Sequence, residues 1–388
     1  MSYLLKDLYS HAFYERLSDV LAMTVPGFDH QRFMSGIFDQ EFAGKELKDR
    51  MKHTSKVLHG FLPVDYAERV ALLTNIIHRL RAENFGEDSL VFMFLPDYVE
   101  TYGIDHYEVS IKALENITQF VSCEIAVRPF LLKYGDKMRA QMHTWSLHEN
   151  HKVRRLASEG SRPRLPWAMA VPALKKNPAP ILALLENLKH DPSEWVRRSV
   201  ANNLNDIAKD YPELVLDVAH KWQGYSKETD AIIKHGCRTL LKQGHPTILK
   251  HYGLQSENIS LSNFKILTPE VKVGGDLQFS FSIQNNSTTP QTVRLEYAIY
   301  YPRKNGVYSK KVFKISERPY APEAQIAVLR KQSFKLITTR TFYAGQHRLT
   351  IIVNGEEKGM LDFMLEAIAG RTNADCTDQK KWIRRGSS

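Results

Sequence analysis

Cysteine is scarce: Cys123, Cys237 and Cys376 are the only three in 388 residues, they lie far apart, and none belongs to a CxxC pair. Neither a disulfide framework nor a thiolate zinc site is therefore expected, and a reducing cytoplasm fits best. Long apolar runs are missing as well. No stretch approaches the ~20 apolar residues of a membrane span. Lys6, Asp7, Glu15 and Asp19 occupy the ground where a signal peptide needs an apolar core. The expectation is an unexported protein with no membrane partner. Fifteen histidines include no HExxH, there is no GxGxxG or P-loop, and the serines and cysteines show no nucleophile arrangement. Neither a cofactor nor a metal is expected.

Positive charge is abundant. Lysine plus arginine total 53 against 43 acidic residues, a formal +10 with a pI near 9.3, which favours a polyanionic partner such as nucleic acid. Hydrophobic residues make up 43% of the chain and five are tryptophans, enough for a large core and for two domains.

Over 1–254 apolar residues recur three and four apart between Pro and Gly breaks, which predicts helices. The segment beginning Val153-Arg154-Arg155-Leu156 repeats 43 positions later as Val196-Arg197-Arg198-Ser199. Weaker copies begin at Val109 and Ile233. Repeats near 40 residues with paired helices mark HEAT-type solenoids. One pair is expected over 123–145 and 152–159, the next over 179–189 and 194–207 with Ser193 as N-cap. In the latter, Val196, Val200, Leu204 and Ile207 form the apolar stripe, leaving Arg198, Asn202 and Asp206 toward groove or solvent.

After Gly253 the period changes to two: Ile259, Leu261, then Leu277, Phe279, Phe281, Ile283, then Val293, Leu295, Tyr297, Ile299 alternate with polar residues. With turns at Gly274-Gly275, Asn285-Asn286-Ser287 and Asn354-Gly355 and further strands over 333–338 and 347–353, roughly seven strands span about 110 residues, the size of an immunoglobulin-like sandwich. The fold class is thus mainly α, a HEAT-like helical-repeat solenoid over 1–254 followed by an Ig-like β-sandwich over 255–368. Residues 369–388, with Lys380, Lys381, Arg384 and Arg385, read as a flexible basic tail.

The most informative stretch runs from His148 to Trp167. Lys152, Arg154, Arg155, Arg162 and Arg164 surround Glu159, and Gly160 and Pro163 turn the chain out of its helix. Such arginines suit bidentate phosphate contacts or, more plainly, oppose a helix dipole. The block Ser158-Glu159-Gly160-Ser161-Arg162-Pro163-Arg164-Leu165-Pro166-Trp167 resembles the AlkC-type alkylpurine DNA glycosylases, relatives of AlkD. The helical resemblance covers about 1–254, and the sandwich matches the AlkC branch, since AlkD-type relatives lack it.

This resemblance implies a monofunctional enzyme that binds duplex DNA in the concave face and excises cationic alkylated bases, 3-methyladenine first and 3-methylcytosine as a further candidate, without rotating the lesion out. It places catalytic carboxylates at Glu159 and Asp206, with Glu124 as a third acid near the same pocket. The residue pattern agrees, because the repeat offset equates Glu159 with Asn202, one helical turn before Asp206. Helices packed about 8–10 Å apart would bring both acids to one sugar. The plainer alternative pairs them with Arg155 and Arg198. Trp167 and Trp195 are the candidate lesion contacts, or else core anchors. Arg154, Arg155, Arg162, Arg164, Arg197, Arg198, Lys234 and Arg238 are the expected DNA ligands, and Arg303-Lys304 and Lys310-Lys311 add candidate contacts from the sandwich. A monomer is expected. The competing class is a non-catalytic HEAT scaffold binding nucleic acid or protein.

Overall fold

The computed structural model describes residues 4–303, 305–336 and 342–367; Lys304, Cys376 and the basic tail expected over 369–388 lie outside them. By packing, the chain divides into two compact units, Ser2–Cys237 and Arg238 onward. Among the described residues no helix is long and apolar enough to cross a membrane.

The first unit is helical. It opens with α1 (His11–Thr24), α2 (His30–Ile37), α3 (Leu47–His59) and α4 (Tyr66–Ala82). The repeats follow as α5 (Phe94–Tyr102), α6 (Tyr107–Thr118), α7 (Val127–Trp145), α8 (His151–Gly160), α9 (Pro172–Lys176), α10 (Ala179–Leu188), α11 (Glu194–Ile207), α12 (Pro212–Trp222) and α13 (Lys227–Gly236). Helices α6, α8, α11 and α13 pack side by side in one row, and α5, α7 and α10 form the row behind. That is the two-layer stacking of a helical-repeat solenoid.

The copies at Val109, Val153 and Val196 fall in successive helices of the first row. The faint copy at Ile233 is misregistered. Helix α13 begins at Lys227, with Ser226 as N-cap accepting from the Thr229 amide at 3.1 Å, so Ile233 lies near its end. Helix α7 starts at Val127 rather than Cys123 and breaks at Gly135, where φ is +47°. Ser193 stands at the N-cap of α11 but its side chain makes no capping bond; the Asp191 carboxylate takes the Ser193 amide instead, at 2.8 Å.

The second unit starts with α14 (Arg238–Gln243) and α15 (Pro246–His251), both expected in the solenoid. They pack on the β7–β8 turn: a Cβ on Gly244 would come within 2.7 Å of the Gly355 carbonyl oxygen. Packing therefore changes at 237/238, ahead of the 254/255 at which the hydrophobic period changes. Among the described residues eight strands follow: β1 (Ile259–Ile266), β2 (Glu270–Lys272), β3 (Asp276–Asn285), β4 (Gln291–Pro302), β5 (Tyr308–Tyr320), β6 (Gln325–Ser333), β7 (Gly345–Val353) and β8 (Glu356–Glu366). One sheet has the order β1-β3-β6 and the other β2-β8-β7-β4-β5.

The alternating residues of β3 and β4 fill the core between the sheets, and Asn354-Gly355 makes the positive-φ turn from β7 to β8. Of the strand expected over 333–338, Ser333 ends β6, 334–336 belong to no strand, and 337–338 lie outside the described residues. Strand β5 went unread, since lysines interrupt its apolar alternation.

The core of this unit holds a histidine, His347, fully buried against the rings of Phe334 and Phe363, with Nδ1 3.0 Å from the Gly345 carbonyl and Nε2 unpartnered. Burial lowers its pKa, only partly opposed by the Gly345 hydrogen bond. A depressed histidine contributes stability that is present above the unfolded value of about 6.5 and is lost as pH falls from there toward the folded pKa. Thermal melts of the sandwich transition are expected to decline below about pH 6.5, and His347→Phe to flatten that decline.

Candidate active site

Helix α8 carries the chemistry because two features fix its axis. Asn150 caps its start, accepting from the Lys152 amide at 2.8 Å. Gly160 allows close approach to α7 at its end, where a Cβ would meet Val127 Cγ2 at 2.6 Å. Beyond it, the turn is held from below by Arg128, fully buried on α7, which donates to the carbonyls of Gly160 at 3.0 Å, Arg162 at 2.6 Å and Met169 at 3.0 Å. Burial lowers the Arg128 pKa to about 10; nearby Arg162 pushes the same way and Asp206 opposes it. Sequence reading missed Arg128, which sits among Val127, Phe130 and Leu131 as one more residue of a helix.

The two acids expected to share one sugar share one guanidinium instead. Arg162 donates through Nη1 to Glu159 Oε1 at 2.6 Å and through Nε to Asp206 Oδ2 at 2.8 Å, and it is itself only 8% exposed. Burial would lower its pKa, but Glu159 and Asp206 outweigh that and raise it. Glu159 Oε2 accepts from the Ser199 hydroxyl at 2.6 Å, and Asp206 Oδ1 from Lys209 at 3.0 Å. The anticipated pairs with Arg155 and Arg198 do not form. Nor does Asp206 lie on an exposed stripe with Arg198: eight residues along a helix rotate the direction by about 80°, and Asp206 is 2% exposed.

A cleft of about 340 Å³ opens beside this network, and its walls include Glu124, Arg155, Glu159, Arg162, Trp167 and Trp195. Glu124 Oε2 accepts from Arg155 at 2.9 Å, and Arg155 lies 4.3 Å over the Trp195 ring. Trp167 is not a core anchor. It is 59% exposed, held at φ +66°, and its carbonyl accepts from Lys48. Asp206 is absent from the walls, so Glu124 and Glu159 are the two of the three expected acids that face the cleft.

The expected DNA ligands divide. Arg154 grips Asp191 with Nε and Nη2, and its Nη1 donates to the carbonyls of His148 at 2.9 Å and Glu149 at 2.6 Å. Arg197 repeats this one unit later, on Asp191 at 2.7 Å and Pro192 at 2.9 Å. These two arginines close the turns between paired helices, so the repeat preserves them as struts and leaves them poorly placed for phosphate. Arg162 is spent on carboxylates, and Arg155 on Glu124 and the Ser122 hydroxyl. Arg164 bonds both oxygens of Asp210 while part-exposed, and Arg198, 66% exposed at its side chain, touches Glu194 at 3.4 Å. Lys234 lies half-buried on α13, and Arg238 begins the second unit. In the sandwich, Lys310 pairs with Glu357 at 2.6 Å and Lys311 lies 5.0 Å over the Phe313 ring.

The sequence profile of the DNA alkylation repair enzyme family matches residues 37–235, and that of the C-terminal Ig-like domain of uncharacterised protein YhaZ matches 260–367. Protein YhaZ of Bacillus subtilis (strain 168) is 43% identical over 362 residues, 93% of this chain and 99% of that protein. The structure is similar to that of Pseudomonas fluorescens alkylpurine DNA glycosylase AlkC bound to DNA containing an abasic site analog, with a TM-score of 0.89 at 35% identity over 94% of this chain and 100% of the other.

Proposed function

Because the chain belongs to the DNA alkylation repair enzyme family, we propose that it is a monofunctional DNA glycosylase, hydrolysing the N-glycosidic bond of cationic alkylated bases in duplex DNA. The lesions are 3-methyladenine foremost and 3-methylcytosine as a further substrate, attacked without rotating the base from the helix by a cytoplasmic monomer. The observation that carries this reading is the pair of carboxylates, Glu124 and Glu159, on the wall of a cleft flanked by two indoles in an otherwise basic chain. A protein that only gripped phosphates would gain nothing from acids there.

Alkylation at N3 or N7 already makes the base a good leaving group, so no strong general acid is needed. The C1′–N bond breaks with its electron pair going to the base, which becomes neutral, and positive charge spreads over the deoxyribose. Glu159, fixed by Arg162 and Ser199, is a preoriented anion for that charge. Glu124 has Oε1 without a hydrogen bond among the described residues and is 24% exposed at its side chain. We assign it to hold the attacking water and take its proton as oxygen bonds to C1′. Asp206 serves as a positioning residue through Arg162. Trp167 and Trp195 lie where flat faces meet sugar or cationic base. Arg164, Arg198, Lys234 and Arg238 remain the phosphate ligands of this proposal.

The test is to incubate the protein with methylated duplex DNA and separate the free bases by chromatography. Release of 3-methyladenine is expected. Its absence, with duplex binding intact, would leave a binding scaffold and overturn the enzymatic reading.

A further inference from the structure

Trp167 walls two cavities. The second, of about 190 Å³, adjoins the first along Leu90, Met93, Ile125 and Trp167 and is built within the helical unit from Tyr9, from α3, from α5 and from Met169 in the loop after Trp167. By volume it holds on the order of six waters, comparable to one bicyclic heterocycle. Its walls are mostly apolar and include the flexible thioethers of Met51, Met93 and Met169 together with the exposed indole of Trp167. Flat, polarisable ligands suit such a lining.

The polar groups in this cavity are unusual for a packing defect. Asp97 and Glu100 stand three apart on one face of α5, Asp97 being only 5% exposed. Burial, then Asp97, raises Glu100 to about 7, against the opposing pull of Lys52 and Lys48. Tyr9, 1% exposed, lines the same space, and its hydroxyl has no hydrogen-bond partner. A buried hydroxyl without a partner is destabilising, so its retention beside two acids fits a ligand that satisfies it.

A base cut from a duplex without rotation is set free inside the stack and needs a way out. We propose that this second cavity is a nucleobase product site: it takes up the neutral purine after cleavage, with Asp97 and Glu100 on its amidine edge, Tyr9 on a ring nitrogen, and Trp167 and the methionines against its faces. A carboxyl group offers one acceptor and one donor side by side, the complement of an aminopyridine edge, which itself presents one donor and one acceptor. Trp167 then serves both cavities. The inference rests on the glycosylase reading, because that reaction supplies the ligand.

Equilibrium dialysis of the full-length protein against free 3-methyladenine, with adenine in parallel, tests it. One equivalent is expected to bind with Kd below about 1 mM, and added base to inhibit turnover. Met51→Trp fills the space and Glu100→Leu removes the edge contact; each is expected to weaken uptake by about tenfold or more. Single-turnover release from methylated DNA should stay within about threefold of wild type, since neither residue faces the reacting sugar. Thermal melts identify which variants are folded, and one folded variant suffices. Undiminished uptake in a folded variant, or no uptake by wild type at several millimolar, overturns the product site. Loss of excision in the wild type would instead overturn the glycosylase reading, and dialysis still reports on the cavity.

Discussion

Glu159→Gln is expected to slow release of 3-methyladenine by about 10²–10³-fold, roughly 2.7–4 kcal/mol of transition-state stabilisation, the range seen when one fixed electrostatic group is removed from a reacting centre. Affinity for duplex DNA should hardly change. The reason lies in how the carboxylate is held. Both oxygens are already bonded, to Arg162 at 2.6 Å and Ser199 at 2.6 Å, so the group does not reorganise as charge develops beside it. A glutamine keeps the shape and loses the charge, and its amide would set an N–H against either the guanidinium or the serine hydroxyl. Glu124→Gln should differ in kind. Glu124 is the proposed acceptor of the water's proton, so its loss removes a general base, an effect of about 10²–10⁴-fold. Single-turnover rates on one methylated duplex, with binding measured on the same DNA, separate the two. Equal rates for wild type and Glu159→Gln would remove the acid from the chemistry, whatever the family.

How much of this was legible beforehand follows from the physics each feature uses. Periodicity is a local property, so the solenoid, its row of inner helices and the alternating core strands β3 and β4 could all be read. Strand β5 could not, because the exposed Lys310, Lys311 and Lys314 sit along it and break the apolar alternation. Helices α14 and α15 look like more solenoid in sequence, yet the glycine contact at Gly244 and Gly355 attaches them to the sandwich. Of the residues singled out in and near the Ser158 to Trp167 block, Glu124, Glu159 and Trp167 line one cleft. What sequence could not supply was direction. Arg154 and Arg197 recur with the repeat, which reads equally as a row of phosphate ligands or of struts; only their bonds to the preceding turn carbonyls decide for struts. Arg128, Ser199 and Lys209 carry no motif at all: Arg128 and Ser199 are defined by partners 32 and 40 positions away, and Lys209 by an acid, Asp206, whose burial the helix pattern does not show.

The same distinction sets the second large effect. Arg162, if it were a phosphate ligand, would lower the slope of log Kd against log salt by about one unit on mutation to alanine. Held between Glu159 and Asp206 and only 8% exposed, it should leave that slope alone and instead unfold the helical unit more easily. Removing it strands two buried carboxylates, for which Lys209 on Asp206 is incomplete compensation; breaking such a buried pair costs about 3–5 kcal/mol, a fall of roughly 10 °C in a domain of this size. Loss of Arg162 also frees Glu159 to turn, so activity should drop with stability. The triple variant Arg162→Met, Glu159→Gln, Asp206→Asn resolves the two contributions. With the charges gone from all three positions, stability is expected to recover to near wild type, since neutral groups of similar size replace a buried triad at little cost. Excision should not recover, because the anion that faces the sugar is gone. A salt slope altered by Arg162→Ala, with the melting temperature unchanged, would return this arginine to the phosphates and Asp206 to the groove.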